Sequence, residues 1–149
     1  MLNYGDFLLE NNKYPAIPSE LYHGQPPTYV DGKRIEPVII DTFDQNKRRF
    51  LKDGNYGFYF TPSVAEAFDY AEGGNVYMCS LNIKNPYYYE DIFGYTNTSL
   101  IKSPNFISKE DIDKLESNGY DGVVILNIFK EIGEVVALYP EQIKIIKML

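Results

Sequence analysis

The chain contains one cysteine, Cys79, and one histidine, His23, among 149 residues. One thiol cannot close a disulfide within the chain, and these counts leave no zinc motif, so we expect no metal. The fold must therefore rest on an apolar core, and 149 residues are enough for a single domain over residues 1–149. Because Cys79 lies in the β-rich run Val76–Leu81, we interpret it as a buried core thiol.

The chain is acidic, with a formal net charge of −7. An acidic surface disfavours tight non-specific nucleic-acid binding, which depends on neutralising phosphates. Lys47, Arg48 and Arg49 form the main basic stretch, which is either a solvated face or a contact for a phosphate or an acidic partner. No secretory pattern and no apolar run of membrane-spanning length is visible. We therefore expect no membrane partner and a cytoplasmic location, including the cytoplasm of a target cell.

Short β-rich runs separated by turn signals dominate the chain. They predict strands at residues 20–24, 38–43, 58–61, 75–83, 121–126, 134–139 and 142–148. Proline, glycine and polar clusters predict irregular structure at residues 25–32 and 86–105. In the 58–61 strand, Phe58 and Phe60 share one face and Tyr59 takes the other.

Helical signals are fewer. Thr61 followed by Pro62 predicts a helix start, with Thr61 as the N-cap. The apolar stripe of that helix is predicted to be Val64, Ala67, Phe68 and Ala71. Tyr70 falls outside this stripe, so it is not an expected core residue.

A second helix is predicted over residues 108–118. Ser108 is the expected cap, Asp111 sits near the capping-box position, and Gly119 follows as the stop. Weaker patterns favour a short helix at 2–11 and a helical turn at 45–51. Together the elements predict an α+β fold with a mostly antiparallel, split β-sheet and two to three flanking helices.

Four motifs follow one another along the chain: Tyr22-His23-Gly24, the run 57–61, Tyr70 eleven residues after Tyr59, and a late strand residue, Glu134. In order and spacing they resemble ADP-ribosyltransferases of the His-Tyr-Glu type, which include diphtheria toxin and the poly(ADP-ribose) polymerases. Residues 119–123 and 134–144 resemble the small transferase domains of phage and mobile-element polyvalent proteins. The resemblance covers roughly residues 19–148 and suggests a toxin or effector.

The resemblance implies an enzyme that uses NAD as substrate, transfers ADP-ribose to a macromolecule and releases nicotinamide. Breaking that glycosidic bond passes through an oxocarbenium-like transition state. By this resemblance the catalytic residues are Glu134, His23 and Tyr59. The NAD-binding residues are His23, Gly24, Gln25, Tyr59, Thr61 and Tyr70.

Each assignment has a structural alternative. Tyr59 could pack within a sheet, Tyr70 could be a surface residue, His23 could be a buried histidine satisfied by backbone, and Thr61 could only cap a helix. Glu131 is the nearest rival to Glu134. Position 132 is isoleucine, so the Glu-x-Glu pair of arginine-modifying transferases is absent, and Gln25 stands where the family usually has threonine or serine.

Several functions stay open at this point. The acceptor is expected to be a protein rather than a nucleic acid, and oligomeric state is unspecified. Water could replace the acceptor, which would make the chain an NAD glycohydrolase. Gln25 is the one feature that favours a degenerate, non-catalytic binding module. Removal of a phosphate from RNA, which related folds perform, needs a basic pocket, and Lys47, Arg48 and Arg49 are nearly its only candidates.

Overall fold

A computed structural model describes residues 14–44, 55–90 and 99–149. The helices expected at 2–11 and 45–51, and the basic stretch of residues 47–49, lie outside the described residues. The strands are β1 Leu21–Gln25, β2 Thr28–Val30, β3 Lys33–Ile35, β4 Phe58–Phe60, β5 Asn75–Leu81, β6 Pro86–Glu90, β7 Gly122–Leu126, β8 Ile132–Ala137 and β9 Ile143–Met148. The helices are α1 Val64–Ala71, α2 Lys109–Ser117 and a 3₁₀ turn at Pro140–Gln142.

The strands form two main sheets and a small hairpin. One sheet has the order β1-β5-β9, the other β4-β8-β7-β6, and β2 pairs with β3. Among the described strands only the β6–β7 pair is parallel. The two main sheets meet where the backbones of Tyr22 and Thr61 exchange two hydrogen bonds of 2.8 and 2.9 Å. The predicted α+β class, with a split and mostly antiparallel sheet, is confirmed.

The core lies between the two sheets and on the outer face of the larger one. Leu21, Tyr77 and Cys79 of the first sheet pack on Phe58 and Phe60 of the second. On the opposite face of the second sheet, strand β7 residues meet α2 and the segment that precedes it. Cys79 is fully buried, and burial raises the pKa of its thiol to about 12, so it is the inert core thiol predicted from its strand.

Helix α1 begins two residues later than predicted. Ser63 caps it, because its side-chain oxygen accepts a hydrogen bond from the Glu66 amide at 3.2 Å. Thr61 cannot be the cap, since its backbone is still committed to the bridge with Tyr22. The predicted apolar stripe was also wrong in part: only its two alanines are buried, whereas Val64 and Phe68 are 39% and 48% exposed.

Helix α2 follows its local sequence signals closely. Ser108 and Asp111 form the reciprocal capping box, with both hydrogen bonds at 3.1 Å. At the other end Gly119 adopts a left-handed φ of 82°, and the amides of Gly119 and Tyr120 bond back to the last turn. This is the Schellman arrangement that a glycine at this position predicts.

Three segments differ from the sequence-based expectation. The region expected to be loop at 25–32 contains β2 and the turn to β3, where Asp31 and Gly32 both have positive φ, as a two-residue hairpin turn requires. The β-rich run at 38–43 forms no strand, although its Ile40 and Phe43 pack on the inter-sheet core. The start of the expected irregular region is strand β6, paired with β7. Within the described parts of the chain, neither helix has the length and apolar character needed to cross a membrane.

Candidate active site

A cavity of about 370 Å³ lies at the Tyr22–Thr61 bridge, and both bridge residues line it. Strands β1, β4 and β8 and helix α1 each contribute to its wall. The lining residues are Tyr22, His23, Gly24, Tyr59, Phe60, Thr61, Glu66, Ala67, Tyr70, Gly133 and Glu134. The fold therefore brings every sequence-predicted site residue except Gln25 into one wall, although they span more than a hundred positions.

His23 projects from β1 into this cavity as a neutral imidazole. Its Nδ1 lies 2.8 Å from the backbone oxygen of Tyr59, and a carbonyl can only accept, so we assign the ring proton to Nδ1. The other nitrogen, Nε2, is then a hydrogen-bond acceptor. Burial lowers the pKa of His23, and the rings of Phe43 and Phe60 pack on it at centroid distances of 4.9 and 5.4 Å. The site thus holds a fixed acceptor rather than a cation.

Tyr59 lies on the opposite face of β4 from Phe58 and Phe60, as strand alternation predicted, and it lines the cavity. Its hydroxyl donates to the Pro104 backbone oxygen at 3.0 Å, and its ring packs against the cluster on the outer face of the second sheet. Burial raises the pKa of Tyr59, and the negative charge of Glu134 adds to the shift, whereas a hydrogen bond with Asn55 opposes it. The phenol is therefore a neutral, anchored ring whose remaining surface borders the cavity.

Tyr70 comes from α1 and is 66% exposed, so its ring is held at the surface edge of the cavity. Helix α1 lies directly on Gly24: a Cβ built there would meet the Ala67 oxygen at 2.4 Å and the Tyr70 ring at 3.2 Å. Only glycine allows this approach. Gly24 therefore has a packing reason to be glycine, and this close approach of α1 places the Tyr70 ring next to Gly24 at the cavity.

Glu134 lies on β8 next to an irregularity in strand pairing. Glu134 pairs with Ile125 and Ile132 pairs with Leu126, so Gly133 is the extra residue of a β-bulge. Bulges re-aim the neighbouring side chain. Burial raises the pKa of Glu134, and the nearby carboxylate of Glu66 raises it further. A second hollow of about 310 Å³ shares Gly133 and Glu134, so this carboxylate stands at the wall between two depressions.

Glu66 is a cavity residue that the sequence-based prediction missed. It precedes Tyr70 by four positions on α1, and residues at this spacing share one helix face. The four-residue spacing could have identified it, because a helix that turns Tyr70 toward the cavity also turns Glu66 toward it. Thr61 donates its hydroxyl proton to Glu66 Oε2 at 3.0 Å, and its oxygen accepts the Ser63 amide at the same distance. Thr61 thus orients a carboxylate at the cavity rim.

Gln25 does not line the cavity. Its Oε1 accepts from the Tyr77 hydroxyl at 2.7 Å and from Asn75 at 3.1 Å, and its Nε2 donates to the Val38 oxygen at 2.8 Å. Gln25 therefore ties the segment after β3 to the first sheet. Glu131, the rival acid, is exposed in the turn before β8 and is also absent from the cavity wall.

The fold and this cavity define a class of protein: a split-sheet α+β domain with His23, Tyr59, Tyr70 and Glu134 in the wall of one crevice. Residues 17–148 match the family described as ADP-ribosyltransferase in polyvalent proteins. The chain belongs to this family, which confirms the resemblance seen in its sequence. No curated protein and no solved structure gave a match.

Proposed function

We propose that this chain is an NAD-dependent mono-ADP-ribosyltransferase that modifies a macromolecule, a protein rather than a nucleic acid. Glu134, His23 and Tyr59 would act in catalysis. The observation that carries the proposal is the convergence of these three residues with Gly24 and Tyr70 on one cavity. Its volume of about 370 Å³ lies in the range of small-ligand sites.

The nicotinamide end of NAD has two kinds of partner here. The rings of Tyr59 and Tyr70 offer aromatic faces to a flat cation, which gains from stacking and from cation–π attraction. The backbone of Gly24 offers a donor and an acceptor. The N–H and C=O of Tyr22 point away from β5 and bond Thr61. Because backbone direction repeats every second residue of a strand, the N–H and C=O of Gly24 also point away from β5, toward the cavity. A carboxamide matches that pair.

The ribose next to nicotinamide would bond His23. Because Nδ1 donates to the Tyr59 carbonyl, Nε2 is able to accept a hydrogen bond from a sugar hydroxyl. This hydrogen bond orients the ribose and transfers no proton. The neutral state that burial favours is the state that this role requires.

Glu134 would act on the bond that breaks. As nicotinamide leaves with the bonding electrons, positive charge develops on the ribose, and a carboxylate beside it stabilises the transition state more than the ground state. It can also accept a hydrogen bond from the 2′-hydroxyl. The acceptor nucleophile then bonds the ribose carbon. Water in that place gives NAD hydrolysis, which uses the same groups.

The other candidate functions lose support from particular contacts. Gln25 was the sole argument for a binding module, and its hydrogen bonds with Tyr77, Asn75 and Val38 explain it as a structural residue. Removal of an RNA phosphate needs cations. Among the described residues, the cavity wall has two carboxylates and neither lysine nor arginine.

The test is incubation with NAD labelled in its adenylate half, with protein and nucleic-acid fractions of a lysate offered separately. We expect nicotinamide release and labelled protein, and a Glu134→Gln variant supplies the blank. If the wild-type chain releases no nicotinamide with any fraction or with water, the proposed function is wrong. Label in nucleic acid alone would overturn the protein acceptor while keeping the transferase.

A further inference from the structure

The segment that follows β3, residues 37–43, forms no strand, and side chains of the first sheet hold its backbone. The Ile40 amide donates to the Tyr77 hydroxyl at 3.1 Å. The Val38 oxygen accepts from Gln25 Nε2 at 2.8 Å. The Tyr77 hydroxyl in turn donates to Gln25 Oε1 at 2.7 Å, so the two side chains are joined to each other as well. Gln25 and Tyr77 therefore act as one tether for this segment.

The tether lies in the same row of side chains as His23. Strand pairing places His23 opposite Tyr77, and it places Gln25 opposite Asn75. Residues two apart on a strand share a face, so His23 and Gln25 point to the same side of the first sheet. The tethered segment, residues 37–43, therefore covers the face of the sheet that carries the histidine.

Phe43 is the residue through which this segment reaches His23. Its ring meets the imidazole at a centroid distance of 4.9 Å and an interplanar angle of 79°, which is the edge-to-face geometry that aromatic rings prefer. It also packs on Phe58 and Phe60, at 5.6 Å in each case. Phe43 follows the tethered Ile40 by three residues and is not part of the cavity wall. It therefore contacts the imidazole without lining the cavity.

From these contacts we propose that Gln25 and Tyr77 are positioning residues for His23. They act through Phe43, which holds the imidazole with Nδ1 on the Tyr59 carbonyl and leaves Nε2 for the cavity. The consequence for NAD rests on the proposed transferase function, in which Nε2 accepts a hydrogen bond from the ribose. Neither Gln25 nor Tyr77 lines the cavity, so their effect on NAD is indirect.

Phe43 matters to His23 because one hydrogen bond does not fix a ring. If Phe43 moves away, water reaches the imidazole, which favours its charged form and lets the proton move between the two nitrogens. Either change removes Nε2 as an acceptor. Carboxylates and phenols on the elements around His23 also influence its charge, and they belong to Asp41, Asp44, Tyr59, Glu66, Tyr77 and Glu134. The variants below keep every carboxylate, so they change the surroundings of the ring rather than its charged neighbours.

The experiment follows the imidazole nitrogen signals of the ¹⁵N-labelled chain by NMR as pH changes, and it measures NAD binding by calorimetry. The chain has one histidine, so these signals report His23 directly. Gln25→Met keeps the length of the side chain and removes the amide, whereas Tyr77→Phe removes the hydroxyl. Tyr88→Phe is the matched control. Its hydroxyl also donates to a backbone oxygen, that of Pro15 at 2.9 Å, and its ring packs on the same inter-sheet core.

In wild type we expect one neutral tautomer, with the proton on Nδ1, and a pKa of His23 below its usual value of 6.5. Gln25→Met and Tyr77→Phe should each raise this pKa toward 6.5 and populate the second tautomer. Each should also weaken NAD binding about 2- to 10-fold, the range expected for one hydrogen bond. Tyr88→Phe should keep the wild-type tautomer and an NAD affinity within about twofold of wild type.

The route through Phe43 is tested in a Phe43→Leu background. Gln25→Met should add no further change to the His23 signals there, because the contact that carries its effect is already gone. A further change of full size overturns that route. Unchanged His23 signals in both tether variants, or an equal change in Tyr88→Phe, overturn the positioning role. A wild-type chain that binds no NAD overturns the proposed function, whereas the titration of His23 still decides the positioning role.

Discussion

Replacing Glu134 with glutamine should move activity and stability in opposite directions. Glutamine keeps the size of the side chain and removes its charge. Losing one preorganised group that stabilises developing charge costs about 3–4 kcal/mol of transition-state stabilisation, which is on the order of 10²–10³ in kcat. The folded state should gain stability, because burial and the charge of Glu66 both disfavour the Glu134 carboxylate there.

The sign of the stability change follows from the direction of the pKa shift. The folded-state pKa of Glu134 lies above the usual value of 4.5, so the native protein holds its proton more tightly than the unfolded chain. The stability that this group contributes is fully present below the unfolded pKa and is lost as pH rises through the folded pKa. At pH 7 the wild-type protein has lost this contribution because Glu134 is ionised, whereas the uncharged glutamine of Glu134→Gln avoids the loss.

We expect Glu134→Gln to have a higher Tm than wild type at pH 7, because the variant carries no charge at this partly buried position. The assay pairs thermal unfolding at several pH values with nicotinamide release. The gain should shrink as pH falls below 4.5 and vanish once the carboxyl is protonated in both states. It should also shrink in a Glu66→Gln background, since one source of the unfavourable charge is then gone. Full turnover, or a lower Tm at pH 7, would refute the reasoning.

Three further outcomes are expected. Tyr70→Ala should weaken NAD binding, measured by calorimetry, about 2- to 10-fold, which is the size of one aromatic contact. Its Tm should stay nearly unchanged because the ring is exposed, and Tyr70→Phe should bind NAD as tightly as wild type does. NAD affinity should fall as His23 becomes protonated, at a pH below its usual pKa of 6.5, because protonated Nε2 cannot accept a hydrogen bond. An affinity that stays constant while NMR shows His23 becoming protonated would contradict this role. Gly24→Ala should lower the free energy of unfolding, measured by chemical denaturation, by about 1–3 kcal/mol, because the new Cβ would meet the Ala67 oxygen at 2.4 Å. An unchanged free energy of unfolding would mean that α1 can shift away without loss of stability.

The parts of the fold that sequence predicted well are those set by neighbouring residues. Helix α2 needs only Ser108, Asp111 and Gly119 at fixed spacing, and all three act as expected. The long strands β5 and β7 carry enough β-branched and aromatic residues to be recognised alone.

The parts that sequence missed depend on distant partners. Residues 86–90 contain three tyrosines in a row without alternation, and they become β6 only because β7, more than thirty residues later, supplies a parallel edge. Thr61 carries a good capping side chain, but its backbone forms a β-bridge with Tyr22, so the cap falls on Ser63 instead. In both cases tertiary pairing outweighs the local preference.

The site shows the same division. Motif order selected His23, Tyr59 and Glu134, and all three lie on the cavity wall. Gln25 was selected only because it follows Gly24 in the sequence. Its neighbours in the sequence do not indicate that its side chain would accept hydrogen bonds from Tyr77 and Asn75. Motif position thus identifies candidates, whereas the direction of each side chain is decided by its partners across the sheet.

The misassigned face of α1 explains how the cavity can exist. Beyond Tyr22 the edge of β1 is open, and an open edge needs cover. A helix that buried Val64 and Phe68 would stand farther from the strand. The close contact of Ala67 with Gly24 instead brings α1 down onto β1 and leaves the larger apolar side chains outside. That rotation turns the helix face bearing Glu66 and Tyr70 toward the cavity that Glu134 also lines. The small residues Ala67 and Gly24, which allow the close contact, therefore determine that these two larger side chains lie in the site.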